Sequence, residues 1–160
     1  MDINLLSTDF QVRKLDENDV DAIYSVSREN KIFYQYHPPF VTKESIKEDI
    51  EALQPNKSFQ DKYYIGFFNH EILVAVMDLI LSYPTEETAF IGLFMMNAEY
   101  QGKGIGTNII ENVCAGLKKT GFQRIRLAVD KENPQSNHFW IKNCFHVTAE
   151  NKYIVMEREL

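Results

Sequence analysis

The chain of 160 residues has little cysteine and no long hydrophobic run. Its two cysteines, Cys114 and Cys144, form no CxxC pair and have no histidine at ligand spacing, which argues against a zinc site or a disulfide framework. We predict two packed, reduced thiols and no metal. No apolar stretch approaches the roughly 20 residues of a membrane span, and residues 1–4 lack the basic region of a secretory signal. A cytoplasmic protein without a membrane partner is therefore predicted.

Positive charge is also scarce. Lysine and arginine number 17 against 23 aspartates and glutamates, so the formal net charge is −6. Proteins that bind the phosphate backbone of nucleic acids present a basic surface, so we expect no nucleic-acid partner. An acidic balance favours a cationic partner. With no internal repeats, low-complexity tracts or flexible linkers, the chain is predicted to form a single domain over residues 1–160.

Hydrophobic periodicity predicts an alternation of strands and helices. Strands are predicted over 10–15, 62–68, 71–81, 88–96, 124–129, 145–148 and 152–157. Helices are predicted over 16–26, 42–53, 104–119 and 134–142. Pro38-Pro39 is expected to exclude helix between Tyr34 and Phe40. This order predicts an α/β fold with one mixed sheet of about six or seven strands and four helices on its faces.

The segment from Phe94 to Thr107 has the pattern that is most informative about function. A predicted strand ends, a loop with glycine at every second position follows at Gln101-Gly102-Lys103-Gly104-Ile105-Gly106, and a helix begins. Glycine lets the backbone approach a ligand closely. The free N–H groups of a first helical turn, together with the helix dipole, attract anions. The loop is therefore predicted to bind a diphosphate.

Two well-known diphosphate-binding loops do not fit this spacing. A Walker A loop has Lys and then Ser or Thr after its second glycine, whereas Lys103 follows the first glycine here. A dinucleotide-binding GxGxxG loop would need its third small residue at Thr107 rather than Gly106, and three predicted strands of a meander precede this loop. The alternative is that this glycine-rich loop binds no ligand and only starts a helix.

This loop and the segment downstream of it resemble the GNAT family of acetyl-CoA-dependent N-acetyltransferases. The family signature, [Q/R]-x-x-G-x-[G/A] between the fourth strand and the third helix, is matched by Gln101 to Gly106. An acidic–aromatic pair typically precedes it, as Glu99-Tyr100 does here. Further on, the family commonly has Asn, an aromatic pair and Lys-x-Gly-Phe. This chain has Asn133, then Phe139-Trp140, then Lys142 to Phe145.

The resemblance implies the GNAT acyltransferase fold, an α-β-α sandwich, with acetyl-CoA as cofactor and CoA as product. Backbone groups of the strand end would pair with the pantetheine amides like an added strand. Loop amides would hold the pyrophosphate, and an asparagine side chain would contact the cofactor. The cofactor residues implied in this way are Phe94, Met95, Met96, Gln101, Gly102, Lys103, Gly104, Ile105, Gly106, Thr107 and Asn133.

The resemblance does not identify a residue that could act as the general acid. Many family members use a tyrosine seven residues after the asparagine, and that position is Trp140 here, whose indole N–H is not a usable proton donor. A thiolate whose thiol has a pKa of roughly 8.5 can leave without full acid assistance, so this replacement need not abolish transfer. Cys144 stands where the family has glycine, and we interpret it as a packed small residue rather than a nucleophile.

The base and the acceptor site rest on weaker patterns. The fourth predicted strand has no acidic residue, but Asp78 interrupts the apolar run 74–80. An unpaired buried carboxylate is costly, so Asp78 is expected to face a cleft or pair with a cation, and it is a candidate for substrate contact or proton relay. In the family, the region of Tyr34, Tyr36 and His37 lies over the acceptor, so these residues are candidate acceptor contacts. Packing onto the sheet is the alternative. His37 is also a candidate base because histidine titrates near neutral pH.

These features predict an N-acetyltransferase that moves the acetyl group of acetyl-CoA to a primary amine of a small molecule or a peptide. The alternative is a module of this fold that binds CoA or acyl-CoA with little or no turnover, which Trp140 favours. A third hypothesis is an interaction protein whose loop no longer binds CoA. The identity of the amine stays open, as does the choice between a monomer and a homodimer paired through residues 153–157.

Overall fold

A computed structural model describes all 160 residues, and it contains one seven-stranded sheet with the strand order β1-β2-β3-β4-β5-β7-β6. The strands are β1 (Gln11–Lys14), β2 (Lys62–Asn69), β3 (Ile72–Ile80), β4 (Thr88–Met96), β5 (Arg124–Asp130), β6 (His146–Glu150) and β7 (Tyr153–Glu159). The α-helices are α1 (Val20–Ser27), α2 (Lys31–Tyr36), α3 (Lys43–Glu51), α4 (Ile105–Lys119) and α5 (Pro134–Lys142). None of these helices is long and apolar enough to cross a membrane.

The predicted mixed sheet is confirmed, because β4 and β5 run parallel and every other neighbouring pair runs antiparallel. All seven predicted strands form, and the four predicted helices form as α1, α3, α4 and α5. The observed ends of these strands and helices lie within a few residues of the predicted ends. Successive side chains of a strand point to opposite faces of the sheet. In β2, Ile65 and Phe67 accordingly pack in one core, while Tyr64 and Phe68 pack in the other.

The two cores lie on opposite faces of the sheet. The larger one includes the buried stripe of α4 (Ile109, Val113 and Leu117) together with Trp140 of α5. The smaller one contains residues of α1 and α3, such as Ile23 and Ile46. Spacings of three and four residues place each helical set on one stripe, which explains why periodicity found these helices. The result is a sheet covered by helices on both faces.

The helix α2 contradicts the prediction that Pro38-Pro39 excludes helix from Tyr34 onward. The helix continues to Tyr36 and ends when the N–H of His37 donates to the carbonyl oxygen of Phe33 at 2.9 Å. Proline restricts its own φ angle and the conformation of the residue directly before it. That restriction falls on His37 and leaves the preceding turn free to be helical.

The parallel pair β4 and β5 separates half-way along its length. Thr88–Ile91 pairs with Arg124–Leu127, and the later residues of the two strands do not pair with each other. On the other side of β4 the register shifts, so that Asp78 lies opposite Leu93 while Leu79 lies opposite Ile91. Gly92 is therefore an extra residue in a β-bulge, which increases the local twist. The sheet opens at the carboxyl ends of β4 and β5.

The cysteines differ in environment. Cys114 is buried in the larger core, and burial raises the pKa of its thiol to about 11. The prediction of a packed Cys144 is wrong, because this side chain is exposed and its backbone has φ of 65°. Cys144 follows the last residues of α5, where a left-handed conformation commonly ends a helix and glycine adopts it without steric cost.

Replacing Cys144 by glycine is expected to raise the free energy of unfolding by about 1 kcal/mol, because a left-handed non-glycine residue carries a strain of that order. Chemical denaturation measures the change. Cys144→Ala keeps the Cβ atom and serves as the control, with no comparable gain expected. Equal stability of the glycine and alanine variants would contradict this account of the helix end.

Candidate active site

Two cavities meet where β4 and β5 separate. We call the first, of about 420 Å³, the sheet cavity, and it is lined mainly by residues of β4, β5, α3 and α5. We call the second, of about 360 Å³, the loop cleft, and it lies between the glycine loop, the end of β4 and α5. Phe33, Phe94, Asn133 and Ser136 line both. The two spaces therefore adjoin at these residues.

The loop cleft gathers most of the residues that the sequence predicts for the cofactor. Those on its wall are Phe94, Met95, Met96, Gln101, Gly102, Gly104, Gly106, Thr107 and Asn133. The side chains of Lys103 and Ile105 are placed elsewhere. The Lys103 ammonium donates to the carbonyl oxygen of Glu99 at 2.6 Å, and Ile105 packs against the larger core.

The glycines expose backbone to the loop cleft. Gly102 and Gly104 have φ angles of 70° and 77°, and a Cβ atom at either position would meet no atom within 4 Å. Gly104 is the N-cap of α4 and supplies no side-chain hydrogen bond, and the first turn of α4 has no acidic residue. The first N–H groups of this 15-residue helix therefore lack helical partners and face an open cradle that suits an anion.

A small amide network fixes the start of the loop. The Gln101 side-chain amide donates to the Asn30 side-chain oxygen at 2.9 Å and to the Met96 carbonyl oxygen at 3.1 Å. Asn30 donates to the same Met96 oxygen at 3.0 Å. The Met96 carbonyl oxygen thus already accepts two hydrogen bonds. An extended ligand that pairs with β4 would therefore bind to backbone groups that precede Met96. Asn30 lies far away in the sequence and carried no signal for this role.

Asn133 lies at the junction of the two cavities and is only 3% exposed. Its side-chain oxygen accepts from the backbone N–H of Ser136 at 3.1 Å and so caps the start of α5. The amide N–H groups are then the atoms that it can offer to a ligand.

The wall of the sheet cavity has three carboxylates and no lysine or arginine. The carboxylates are Asp49 of α3, Asp78 of β3 and Asp130 of β5. Asp78 lines the cavity and also pairs with the ammonium of Lys62 at 2.9 Å, a lysine that is 5% exposed. Burial raises the pKa of Asp78, while the Lys62 charge opposes that rise. The second oxygen of Asp78, Oδ1, is buried without a hydrogen-bond partner.

Gly92 makes room for that carboxylate. A Cβ atom at this position would lie 2.9 Å from Oδ2 of Asp78 and 3.3 Å from Cδ1 of Ile80. The absence of a side chain at the bulge therefore allows Asp78 to reach the cavity from the neighbouring strand. A lone glycine within a strand often marks such a close approach, so a signal for Gly92 was present in the sequence.

The helical conformation of α2 determines which of the residues predicted to contact the acceptor line the sheet cavity. Phe33 and His37 are four residues apart, share one side of the helical segment and line the cavity. Tyr34 and Tyr36 line neither cavity. Tyr34 packs edge-on against Phe33, with ring centroids 4.9 Å apart. The family resemblance implied that these two tyrosines contact the acceptor, and the helical turn directs them elsewhere.

His37 is held across the cavity by Asp130. Its Nδ1 atom lies 3.1 Å from Oδ2 of Asp130, at the end of β5 and 93 positions away in the sequence. This contact joins the end of α2 to the open end of the sheet. Asp130 was absent from the sequence prediction because its role depends entirely on this distant pairing.

Trp140 occupies the position of the usual tyrosine acid and forms part of an aromatic wall. It is 6% exposed, lines the sheet cavity and packs against Phe94, Phe139 and Phe145 with centroid distances of 5.0 to 6.0 Å. Its position indicates a packing role beside the junction of the cavities.

The sequence model of the acetyltransferase (GNAT) family matches residues 22–144 of this chain. These residues include the glycine loop, β4, β5 and α5. The chain belongs to this family. It is accordingly an acyltransferase of the N-acetyltransferase type, and its cofactor is acetyl-CoA. The exposed glycine backbone and the unpaired amides at the start of α4 fit the pyrophosphate of that cofactor.

Individual relatives agree with the GNAT fold. A spermidine N(1)-acetyltransferase of Thermoplasma acidophilum is 25% identical, over 93% of this chain and 96% of the relative. Among solved structures, an acetyltransferase of Thermus thermophilus has a TM-score of 0.82 at 21% identity, covering 96% of this chain and 98% of its own. The PaiA N-acetyltransferase of T. acidophilum in complex with coenzyme A has a TM-score of 0.71 at 23% identity, covering 96% and 100%.

The variant Gly104→Glu is expected to abolish measurable CoA binding, because it places a carboxylate in the anion cradle and a side chain where backbone is bare. Isothermal titration calorimetry with CoA measures the affinity. Gly121→Glu is the matched control, since Gly121 also has a positive φ, of 97°, and open space at its Cβ position, but lies beyond the other end of α4. Unchanged affinity in Gly104→Glu, or equal loss in both variants, would contradict the loop assignment.

Proposed function

We propose that this chain acetylates a primary amine of a small molecule, with acetyl-CoA in the loop cleft and the amine in the sheet cavity. The observation that carries this proposal is that the two cavities meet at Phe94 and Asn133. Transfer between two substrates requires that their reacting atoms reach one point, and two cavities that adjoin at these residues would provide it. The catalytic unit is proposed to be one domain over residues 1–160.

Within the loop cleft, backbone amides from Gly102 to Thr107 would hold the pyrophosphate. The unpaired backbone around Phe94 and Met95 would bind the pantetheine arm, and Asn133 would donate to it. Acetyl-CoA supplies an acetyl group that is activated as a thioester. Support for this arrangement comes from the positive φ angles of the loop glycines and from the lack of pairing between the ends of β4 and β5.

Within the sheet cavity, Asp78 would bind the ammonium form of the acceptor through its carboxylate. The side chain lines the cavity and is 13% exposed, and a charge-assisted hydrogen bond from an ammonium would pair with it. Because Asp78 reaches the cavity over Gly92, this places the amine beside the open segment of β4. Burial raises the pKa of Asp78, and the charge and hydrogen bond of Lys62 favour its ionised form.

His37 would take the proton that the ammonium loses before it attacks. A neutral imidazole that donates from Nδ1 to Asp130 has its Nε2 atom free to accept a proton, the same division of roles as in other His–Asp pairs. His37 is solvent-accessible, so the proton can pass on to water.

The small-molecule acceptor is favoured over a protein by two observations. The wall of the sheet cavity combines three carboxylates with many aromatic side chains, which suits a small organic cation. The relative from Thermoplasma acidophilum that aligns over 93% of the chain is a spermidine N(1)-acetyltransferase. We also propose a cytoplasmic location and a monomer or homodimer as the working form.

The alternative function is CoA binding with little or no turnover, which is favoured by Trp140 at the position of the tyrosine acid. Release of free thiol from acetyl-CoA in the presence of a panel of amines separates the two. Amine-dependent release supports the proposed transfer. Tight CoA binding without such release across the panel would contradict it and support the binding module.

His37→Gln is expected to lower kcat by about 100-fold, because general base catalysis commonly contributes a factor of that size or more. The affinity for CoA should not change, since His37 lies outside the loop cleft. Steady-state kinetics of thiol release measures the effect. His146→Gln, at an exposed histidine of β6, is the control and should match the parent protein. A kcat within threefold of the parent in His37→Gln would refute the assignment of the base.

A further inference from the structure

We propose that Asp49 binds a second cationic group of the acceptor, so that the preferred acceptor class is a diamine or polyamine. This inference rests on the proposed function and specifies its substrate class. In the sheet cavity, one ammonium group would lie at Asp78, beside the point of transfer, and the other at Asp49. Asp49 is then a residue that determines specificity and takes no part in the proton transfer.

The charge balance of the sheet cavity leaves Asp49 without a partner. Asp78 is paired with Lys62, and Asp130 is paired with His37. Asp49 has no ion pair and no hydrogen bond through its side chain. The cavity wall therefore carries more negative charge than Lys62 neutralises, and Asp49 is the carboxylate of the wall that has no protein partner.

The surroundings of Asp49 increase its need for a cation. Asp49 is an exposed residue that lines the cavity, and desolvation by the surrounding protein raises the pKa of its carboxyl group. The charge of Lys62 lowers that pKa and the charge of Glu48 raises it, and neither side chain forms an ion pair or hydrogen bond with Asp49. A bound ammonium would favour the charged form of this carboxyl group.

A neighbouring tyrosine supplies an independent sign of a ligand position. Tyr64 is 5% exposed and lines the sheet cavity, and its hydroxyl group has no hydrogen-bond partner in the protein. Burial and the charges of Asp49 and Asp78 raise the pKa of Tyr64, so the hydroxyl stays neutral. A phenol oxygen accepts hydrogen bonds, and the ammonium group at Asp49 could donate one to it.

The remaining wall suits the chain that joins two amines. Phe33, Phe90, Phe94 and Trp140 line the same cavity. Aromatic faces bind methylene groups by apolar contact and attract nearby cations. A short aliphatic chain with an ammonium group at each end would place its ends at the carboxylates and its middle against these aromatic rings.

The test compares two acceptors of equal chain length, 1,4-diaminobutane and n-butylamine, which differ by one ammonium group. For the parent protein, kcat/KM for the diamine is expected to exceed that for the monoamine by at least tenfold. In Asp49→Asn, KM for the diamine should rise about tenfold with little change in kcat, while the kinetics with n-butylamine should stay within twofold. A general structural defect would lower kcat/KM for both amines together.

Glu48→Gln is the matched control, because it removes the adjacent negative charge on α3 from a residue that does not line the cavity. It should keep the preference for the diamine. The proposal is overturned if the parent shows no preference, if Asp49→Asn impairs both amines equally, or if Glu48→Gln has the same effect as Asp49→Asn.

Calorimetry of diamine binding to the protein saturated with CoA gives a readout that does not depend on turnover. Binding that weakens about tenfold in Asp49→Asn supports the subsite even where catalysis is slow. Absence of diamine binding to the parent overturns it. Turnover of n-butylamine without a diamine preference would leave the proposed acetyl transfer standing and contradict only the subsite, whereas tight diamine binding without turnover would contradict only the transfer.

Discussion

The separation of β4 from β5 is the constraint on which the site depends. Parallel strands joined by hydrogen bonds would leave no space in the middle of a sheet, and here the pairing stops after Ile91 and Leu127. The bulge at Gly92 accompanies this divergence and removes a side chain that would collide with Asp78. The same opening thus provides unpaired backbone for a ligand and a route by which a carboxylate of the next strand reaches the cavity.

Local features of the site could be predicted from the sequence, because they depend on residues that are close together along the chain. The glycine loop and the start of α4 are of this kind, and the spacing of the glycines was enough to locate them. The strands and most helices followed from periodicity. Asn133 came from the family resemblance, and its cap at the start of α5 became visible only in the structure.

Features that depend on distant pairing could not be predicted in the same way. Asn30, Asp49 and Asp130 reach the site from separate elements, and nothing near them in the sequence indicates a function. The error at α2 had a further consequence. Once residues up to Tyr36 are helical, the i, i+4 spacing brings Phe33 and His37 to the cavity and leaves Tyr34 and Tyr36 off its wall.

The replacement of the usual tyrosine by Trp140 fits the character of the cavity. Aromatic packing around Phe94, Phe139 and Trp140 forms one wall of the site. In the proposed reaction, acetyl transfer relies on the good leaving ability of a thiolate, without an acid at position 140.

The most direct test of the account is a crystal structure with a bisubstrate conjugate, in which CoA is joined through an acetyl linker to 1,4-diaminobutane. The account predicts pyrophosphate density at Gly102 to Thr107, the linker beside Phe94, and the amine arm in the sheet cavity with its nitrogen atoms within hydrogen-bond distance of Asp78 and Asp49. An amine arm that leaves the junction toward solvent, outside the sheet cavity, would contradict the claim that the two cavities bring donor and acceptor together.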